Sequence, residues 1–148
     1  MEAWVRGPDG PRRFRVARFR VPASWTGDRE RDRRSLWLSG PNGEGAMFIG
    51  LGLHPEDLGA FLDELARRTP ASAPSPPEPY DLPFLNAALG DRATRYVVTG
   101  KMAGEMVLIE RRGVILLFAA IVHPSAWDSV SGWLPDVYRS VILSDGAP

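Results

Sequence analysis

The run VILLFAAIV, from Val114 to Val122, has no polar residue in nine positions. It is too short to span a bilayer as a helix, which takes about 20 apolar residues. The segments TRYVVTG and GEMVLIERRG precede this run, and the short turns GKMAG and ERRG connect the three in order. This arrangement indicates three consecutive antiparallel strands. Because strand side chains alternate between two faces, a wholly apolar strand must be covered on both. We therefore expect it at the centre of a sheet that has a layer on each side.

Three more strands are predicted in the first half of the chain. RRFRVARFRVP changes its apolar parity near Ala17, which predicts a bulge or two short strands. SLWLSGPNGEGAMFIGLGL predicts a hairpin with strands at 36–38 and 46–53 around the turn GPNGEG. The second of these strands has two faces, one with Met47, Ile49, Leu51 and Leu53 and the other with Phe48, Gly50 and Gly52. Glycine often marks the close approach of another element, here a helix of the same chain or a ligand.

Two amphipathic helices are predicted. In PEDLGAFLDELARR, residues 55–68, apolar side chains fall at i, i+3, i+4 and i+7. The segment SAWDSVSGWLPDVYRSVIL places one apolar stripe on Trp127, Val130, Leu134, Val137, Tyr138 and Val141. Pro135 lies inside it, which predicts a kink or two short helices. The proline-rich residues from about 69 to 83 predict a surface loop without regular structure, and LPFLNAALG predicts a short helix closed by Gly90.

These elements predict an α+β fold in one domain over residues 1–148. An antiparallel sheet of about six strands would lie between helices on both faces, as an α/β/α sandwich. The length and the 44% hydrophobic content suffice for one core.

The charge balance argues against a nucleic-acid partner. Eighteen basic residues offset eighteen acidic ones. Residues 1–35 nevertheless carry ten arginines and five acids, so this segment either meets an acidic partner or pairs with the acidic remainder of the chain. The chain has no cysteine, which excludes disulfides, thiolate zinc sites and cysteine nucleophiles. No secretory signal pattern and no transmembrane segment is recognised, so we expect a cytoplasmic location.

The two histidines, His54 and His123, each follow an apolar strand and precede a proline. Proline is favoured at the first position of a helix, so both histidines are expected to cap helices. The alternative is a catalytic pair, for which Asp57, Ser125 and Asp128 are the nearest possible partners. A metal site is disfavoured because the two histidines and the scattered carboxylates have no recognised ligand spacing. No phosphate-binding loop, nucleophile elbow or dinucleotide fingerprint is present, so we expect neither an enzyme nor a cofactor.

The order of the elements resembles the PsbP-like fold. The resemblance rests on FRVPASW, with Pro22 and Trp25 after the early strand, then the hairpin, the helix, the second group of strands and a closing helix ending VYRSVIL. The resemblance covers roughly residues 12–143. The group with this fold includes the extrinsic photosystem II protein PsbP, a yeast Ran-binding nuclear import factor and bacterial adaptor chaperones of type VI secretion effectors. It implies an antiparallel sheet between helices and a non-catalytic role in binding another protein. No binding motif of that group matches here residue by residue.

The leading hypothesis is a bacterial cytoplasmic adaptor or chaperone of a secretion system. Its partner would be another protein, with a second copy of the chain as a further candidate. The candidate binding residues come from the basic N-terminal segment and from the hairpin, whose second strand has a face with two glycines. They are Arg15, Arg18, Arg20, Trp37, Phe48, Gly50 and Gly52. The alternative is a small-ligand-binding protein or enzyme with a pocket near His54 and His123.

Overall fold

The computed structural model describes residues 2–7, 10–18, 20–29, 35–43, 45–53, 63, 67, 72–111 and 114–146. The strands are β1 (Glu2–Gly7), β2 (Gly10–Arg18), β3 (Thr26–Arg29), β4 (Ser35–Ser39), β5 (Gly45–Leu53), β6 (Ser72–Pro74), β7 (Glu78–Pro79), β8 (Arg92–Gly100), β9 (Ala103–Arg111), β10 (Val114–Val122) and β11 (Ile142–Gly146). The helix α1 spans Pro124–Ser140. The main sheet has the order β3-β4-β5-β10-β9-β8-β6, with β7 also paired to β8, and a smaller sheet has the order β1-β2-β11. All the pairs are antiparallel, which confirms the α+β class.

All six predicted strands are present, as β2, β4, β5, β8, β9 and β10. The expected number of about six is nevertheless wrong, because the described residues contain five further strands. The additional strands β1, β3, β6, β7 and β11 all lie at the edges of the two sheets. An edge strand needs little apolar alternation, since its backbone bonds with one neighbour hold it in place. Sequence periodicity therefore does not reveal it.

Strand β10 is the centre of the main sheet. It pairs with β5 on one side and with β9 on the other. Its residues from Ile115 to Val122 are all buried. Side chains of one parity, such as Phe118 and Val122, belong to a core cluster with α1, while those of the other parity, such as Leu117 and Ala119, belong to a second cluster. The predicted position of this strand is confirmed.

Helix α1 covers the first of these faces, which we call the helix face. Its buried residues are Val130, Leu134, Val137 and Tyr138, as the predicted stripe requires. The helix continues through Pro135 as one element, so of the two expectations that of two short helices is wrong, and the kink stays a prediction. Pro135 is exposed while the residues around it are held in the core, and this packing offsets the missing backbone bond. No helix within the described ranges is long and apolar enough to cross a membrane.

The opposite face of the main sheet, which we call the second face, is also buried at its centre, where Leu117 is fully inaccessible. The helix predicted over residues 55–68 lies outside the described residues, apart from Asp63 and Arg67, which are helical. A helical layer on this face therefore stays a prediction.

Two bulges reset the side-chain alternation of the strands. In the smaller sheet Ile142 pairs with Arg18 and Leu143 with Val16, so Ala17 is an additional residue, and the predicted bulge is confirmed. In the main sheet Leu53 pairs with Ile115 and Leu51 with Leu116, so Gly52 is bulged in the same way. The predicted common face of β5 is thus correct as far as Leu51. Beyond that point the bulge moves position 53 to the other face.

The proline-rich segment contains two short strands, so the expectation of no regular structure over about 69–83 is wrong. Strands β6 and β7 pair with the outer edge of β8. Between them the Ser75 amide donates to the Val97 carbonyl (2.7 Å), and the Val97 amide donates to Ser75 Oγ (2.9 Å). Proline is tolerated on an edge strand, where it also blocks the addition of another strand. Further along, the predicted short helix is a 3-10 turn at Ala87–Leu89, closed by Gly90 with φ of 74°.

We expect Gly104→Ala to destabilise the protein and Gly132→Ala to stabilise it. A Cβ at residue 104 would lie 1.8 Å from the Ala120 carbonyl oxygen, whereas one at residue 132 would meet no atom within 4 Å. Overpacking between β9 and β10 should lower the free energy of unfolding by about 1–3 kcal/mol. Replacing glycine inside α1 should raise it by about 0.5–1 kcal/mol. Urea unfolding of both variants measures these changes, and equal effects would contradict the close approach at residue 104.

Candidate functional site

The register of the main sheet places three of the candidate binding residues in rows on the second face. Paired residues of antiparallel strands share a face, so each row can be followed across the sheet. One row runs through Trp37, Phe48, Ala119, Met106 and Tyr96. The next row runs through Gly50, Leu117, Leu108 and Thr94. The side chains of Trp37 and Phe48 lie outside the described part, and the β8 ends of both rows lie within it.

At those ends the surface contains a groove of about 710 Å³, which we call the β8 groove. Its lining is mainly apolar and aromatic and includes Pro79, Tyr80, Thr94, Tyr96, Leu108 and Ile115. Pro79 pairs with Thr94, so the edge strand β7 forms one wall. Thr94, Tyr96, Leu108 and Ile115 line it from the second face, whereas Tyr80 packs with the helix-face cluster. The groove therefore lies at the β8 edge of the sheet, where the second face reaches the surface.

The loop that forms the other wall is fixed by a buried ion pair. Arg111 donates from Nε and Nη2 to the two carboxylate oxygens of Asp91, both at 2.7 Å. The same carboxylate accepts a hydrogen bond from the backbone amide of Asn86 at 2.9 Å, and the Asn86 side chain caps the 3-10 turn. Both charged side chains are almost completely buried, so their attraction is little screened by solvent. Arg92 and Glu110 lie nearer the surface, where their 3.5 Å contact contributes little.

The candidate arginines lie elsewhere in the fold. Arg15 and Arg18 are in the central strand of the smaller sheet, opposite Ser144 and Ile142. Arg20 follows β2 and lies at the C-terminal end of α1, where its amide donates to Ser140 Oγ at 2.7 Å. The structure therefore associates Arg20 with the helix face and not with the second face.

His123 caps α1 as predicted. Pro124 is the first helical residue, and the Ser125 amide donates to His123 Nδ1 at 3.2 Å. The Ser125 hydroxyl also lies 2.7 Å from this nitrogen. The imidazole is exposed and used locally, which accounts for the residue without catalysis. His54 lies outside the described residues.

A charged cluster beneath α1 was not predicted from the sequence. Glu105 is buried on the helix face, where Oε1 accepts from the Tyr138 hydroxyl at 3.2 Å and Oε2 accepts from Arg95 Nε at 2.5 Å. Arg95 also bonds Glu78 of β7 at 3.1 Å and lies 5.4 Å from the centre of the Tyr80 ring. The sequence signal is a glutamate that precedes the apolar run MVLI with the parity of Val107 and Ile109, which belong to the core.

The cluster changes the proton affinity of its members. Burial raises the pKa of the Tyr138 hydroxyl far above its usual range, and the negative charge of Glu105 raises it further. Burial also raises the pKa of Tyr80, and the negative charge of Glu105 raises it further. Burial opposes the charged form of Arg95, but its hydrogen bond and attraction to Glu105 outweigh this and raise its pKa. These are neutral tyrosines and a fixed ion pair, an arrangement that stabilises the fold.

No group of three or more histidine, aspartate or glutamate side chains in the described ranges is arranged to hold a metal ion.

No family model and no curated protein sequence matches this chain. Solved structures do match. The solution structure of cyanobacterial PsbP (CyanoP) from Synechocystis sp. PCC 6803 is similar at a TM-score of 0.58 and 14% sequence identity, over 85% of each chain. The predicted PsbP-like fold is therefore confirmed. At this identity the likeness concerns the fold alone.

A second solved structure is LpqN, which is involved in cell envelope biogenesis of Mycobacterium tuberculosis. It aligns with 99% of this chain and 91% of its own at 14% identity, with a TM-score of 0.48. That score is too low to carry an argument about this protein.

We expect Tyr138→Phe to weaken the dependence of stability on alkaline pH. Above about pH 10 an unfolded chain loses its tyrosine protons, whereas the folded protein keeps the proton of Tyr138. The unfolded state then binds fewer protons, so the free energy of unfolding falls as pH rises, by about 1.4 kcal/mol per pH unit for this residue. Urea unfolding between about pH 8 and 11 should show a shallower fall in the variant. An unchanged slope would show that Tyr138 ionises equally in both states.

Proposed function

We propose that the protein is a non-catalytic module that binds another protein through the second face of its main sheet, as a cytoplasmic bacterial adaptor or chaperone does. The observation that supports this is the β8 groove, in which Thr94, Tyr96 and Leu108 lie in the same rows of the second face as the Phe48 and Gly50 positions. The resemblance to PsbP-like proteins agrees with this class of function, as a fold-level analogy.

The groove has the chemistry of a protein-binding surface. Tyr80 and Tyr96 contribute large aromatic side chains, which are enriched at such surfaces because they combine an apolar ring with a polar hydroxyl. Leu108 and Ile115 form an apolar floor, and the ion pair of Arg92 with Glu110 lies at the rim. An apolar centre with charges at its margin is typical of interfaces between proteins.

The groove is also preorganised. Its β7 wall is tied to β8 by backbone pairing and by the bond between Glu78 and Arg95, and its loop wall is tied by Asp91 and Arg111. A partner would therefore bind without first ordering these segments, which reduces the entropy cost of binding.

A charge placed in the groove should abolish partner binding. Tagged wild-type protein, Thr94→Arg and Phe48→Arg would be used to capture proteins from lysate of the native organism, followed by quantitative mass spectrometry. Thr94 is a half-buried residue of the groove, so a buried unpaired charge there should reduce enrichment of the partner by about tenfold or more. Phe48→Arg tests whether the binding surface extends along its row.

Ser129→Arg is the matched control, because it introduces the same side chain at an exposed position of α1. It should retain the partner. Circular dichroism melts would establish that all variants are folded. A partner retained by folded Thr94→Arg and by folded Phe48→Arg would exclude the second face, and a partner lost by Ser129→Arg alone would assign binding to α1.

A further inference from the structure

We infer that a depression between the end of β2 and the last turns of α1 is a separate binding site for an acidic peptide segment that also carries an apolar side chain. The depression has a volume of about 470 Å³. Its lining includes Arg20, Pro22, Trp133, Asp136, Arg139 and Ser140. It shares no lining residue with the β8 groove, so it is a second site beyond the function proposed above.

The base of the depression is fixed by packing and hydrogen bonds. Trp133 packs edge-on against the buried Trp25, with ring centres 5.5 Å apart and an interplanar angle of 69°. The backbone of Arg20 is bonded to Ser140, whose hydroxyl donates to the Val137 carbonyl at 2.6 Å. The chain after β2 and the end of α1 therefore form one rigid junction, with a half-buried indole between them.

Two guanidinium groups and one carboxylate line the depression. Arg139 pairs with Asp136 on the exposed surface of α1. Arg20 is exposed and makes no ion pair with any described residue. The lining thus has one positive charge in excess, contributed from the strand side of the junction. A ligand carboxylate could bind Arg20 without displacing an existing partner.

The aromatic base favours a peptide over a small anion. Trp133 and Val21 are half-buried and offer apolar surface, which an inorganic anion cannot use but a leucine or aromatic side chain can. Arginine next to tryptophan also occurs in sites for single-stranded nucleic acid. Asp136 opposes that ligand, because its carboxylate would repel a run of phosphates. The geometry therefore favours an acidic, partly apolar segment of a protein.

The test uses short fluorescein-labelled peptides and fluorescence anisotropy. The first peptide combines aspartate and glutamate with two leucines, the second replaces the acids by lysine, and the third replaces the leucines by serine. The wild-type protein should bind the first peptide most tightly and the second not at all. Arg20→Gln should weaken binding of the first peptide by about tenfold, the loss of one charge-assisted hydrogen bond.

Asp136→Asn provides a variant with the opposite effect. It removes the carboxylate that competes for Arg139, so the first peptide should bind more tightly, by about threefold. Arg92→Gln is the control, since it removes an exposed arginine from the β8 groove without touching this site. Circular dichroism would verify folding, which these exposed substitutions should not affect.

Three results would overturn the inference. They are equal binding of the acidic and basic peptides, unchanged binding by Arg20→Gln, and binding of a labelled oligothymidylate but of no peptide. None of them bears on the β8 groove, which is tested with Thr94→Arg. Failure at one site can thus be distinguished from failure at the other.

Discussion

The pairing of β10 with both of its neighbours determines the arrangement of the rest of the structure. Its backbone bonds are used on both sides and its side chains are buried on both faces, so it has no freedom to shift. A slip of β10 by one residue would exchange the side chains that it contributes to the two apolar clusters. The rows counted outward from β10 therefore define where each surface lies. They bring Phe48 into line with Tyr96, although 48 residues of chain separate the two positions.

The features that could be predicted from sequence are those whose signal is local. The six apolar strands, the bulge at Ala17 and the buried stripe of α1 each follow from the spacing of neighbouring side chains. The edge strands could not be predicted, because backbone pairing holds them in place and their composition is polar or rich in proline. The bulge at Gly52 was missed for a related reason. A glycine in an apolar strand has several explanations, and only the register with Ile115 and Leu116 selects one.

The candidate site was predictable only in part, because it combines distant segments. The alternation of β5 assigned Phe48 and Gly50 to one face, in agreement with the register, but neither residue lines the groove. It contained no information about Tyr80 or Thr94, which do. The arginines of the first segment were grouped by charge alone. Charge clustering in sequence says nothing about direction, and the chain after β2 in fact carries Arg20 to the end of α1. The pair of Asp91 and Arg111 had no sequence signal, since 20 residues separate its members.

The buried Glu105 of β9 connects segments that are distant in the chain, α1 and β8. An isolated buried carboxylate is costly, and here two donors compensate it, Tyr138 from α1 and Arg95 from β8. Tyr138 lies edge-on to Tyr80, with ring centres 6.3 Å apart, and Tyr80 lines the β8 groove. The next residue, Arg139, faces the depression at Arg20. Both proposed surfaces are therefore attached to one fixed cluster. Each is held in shape before a ligand arrives, and neither needs a conformational change in the other to bind.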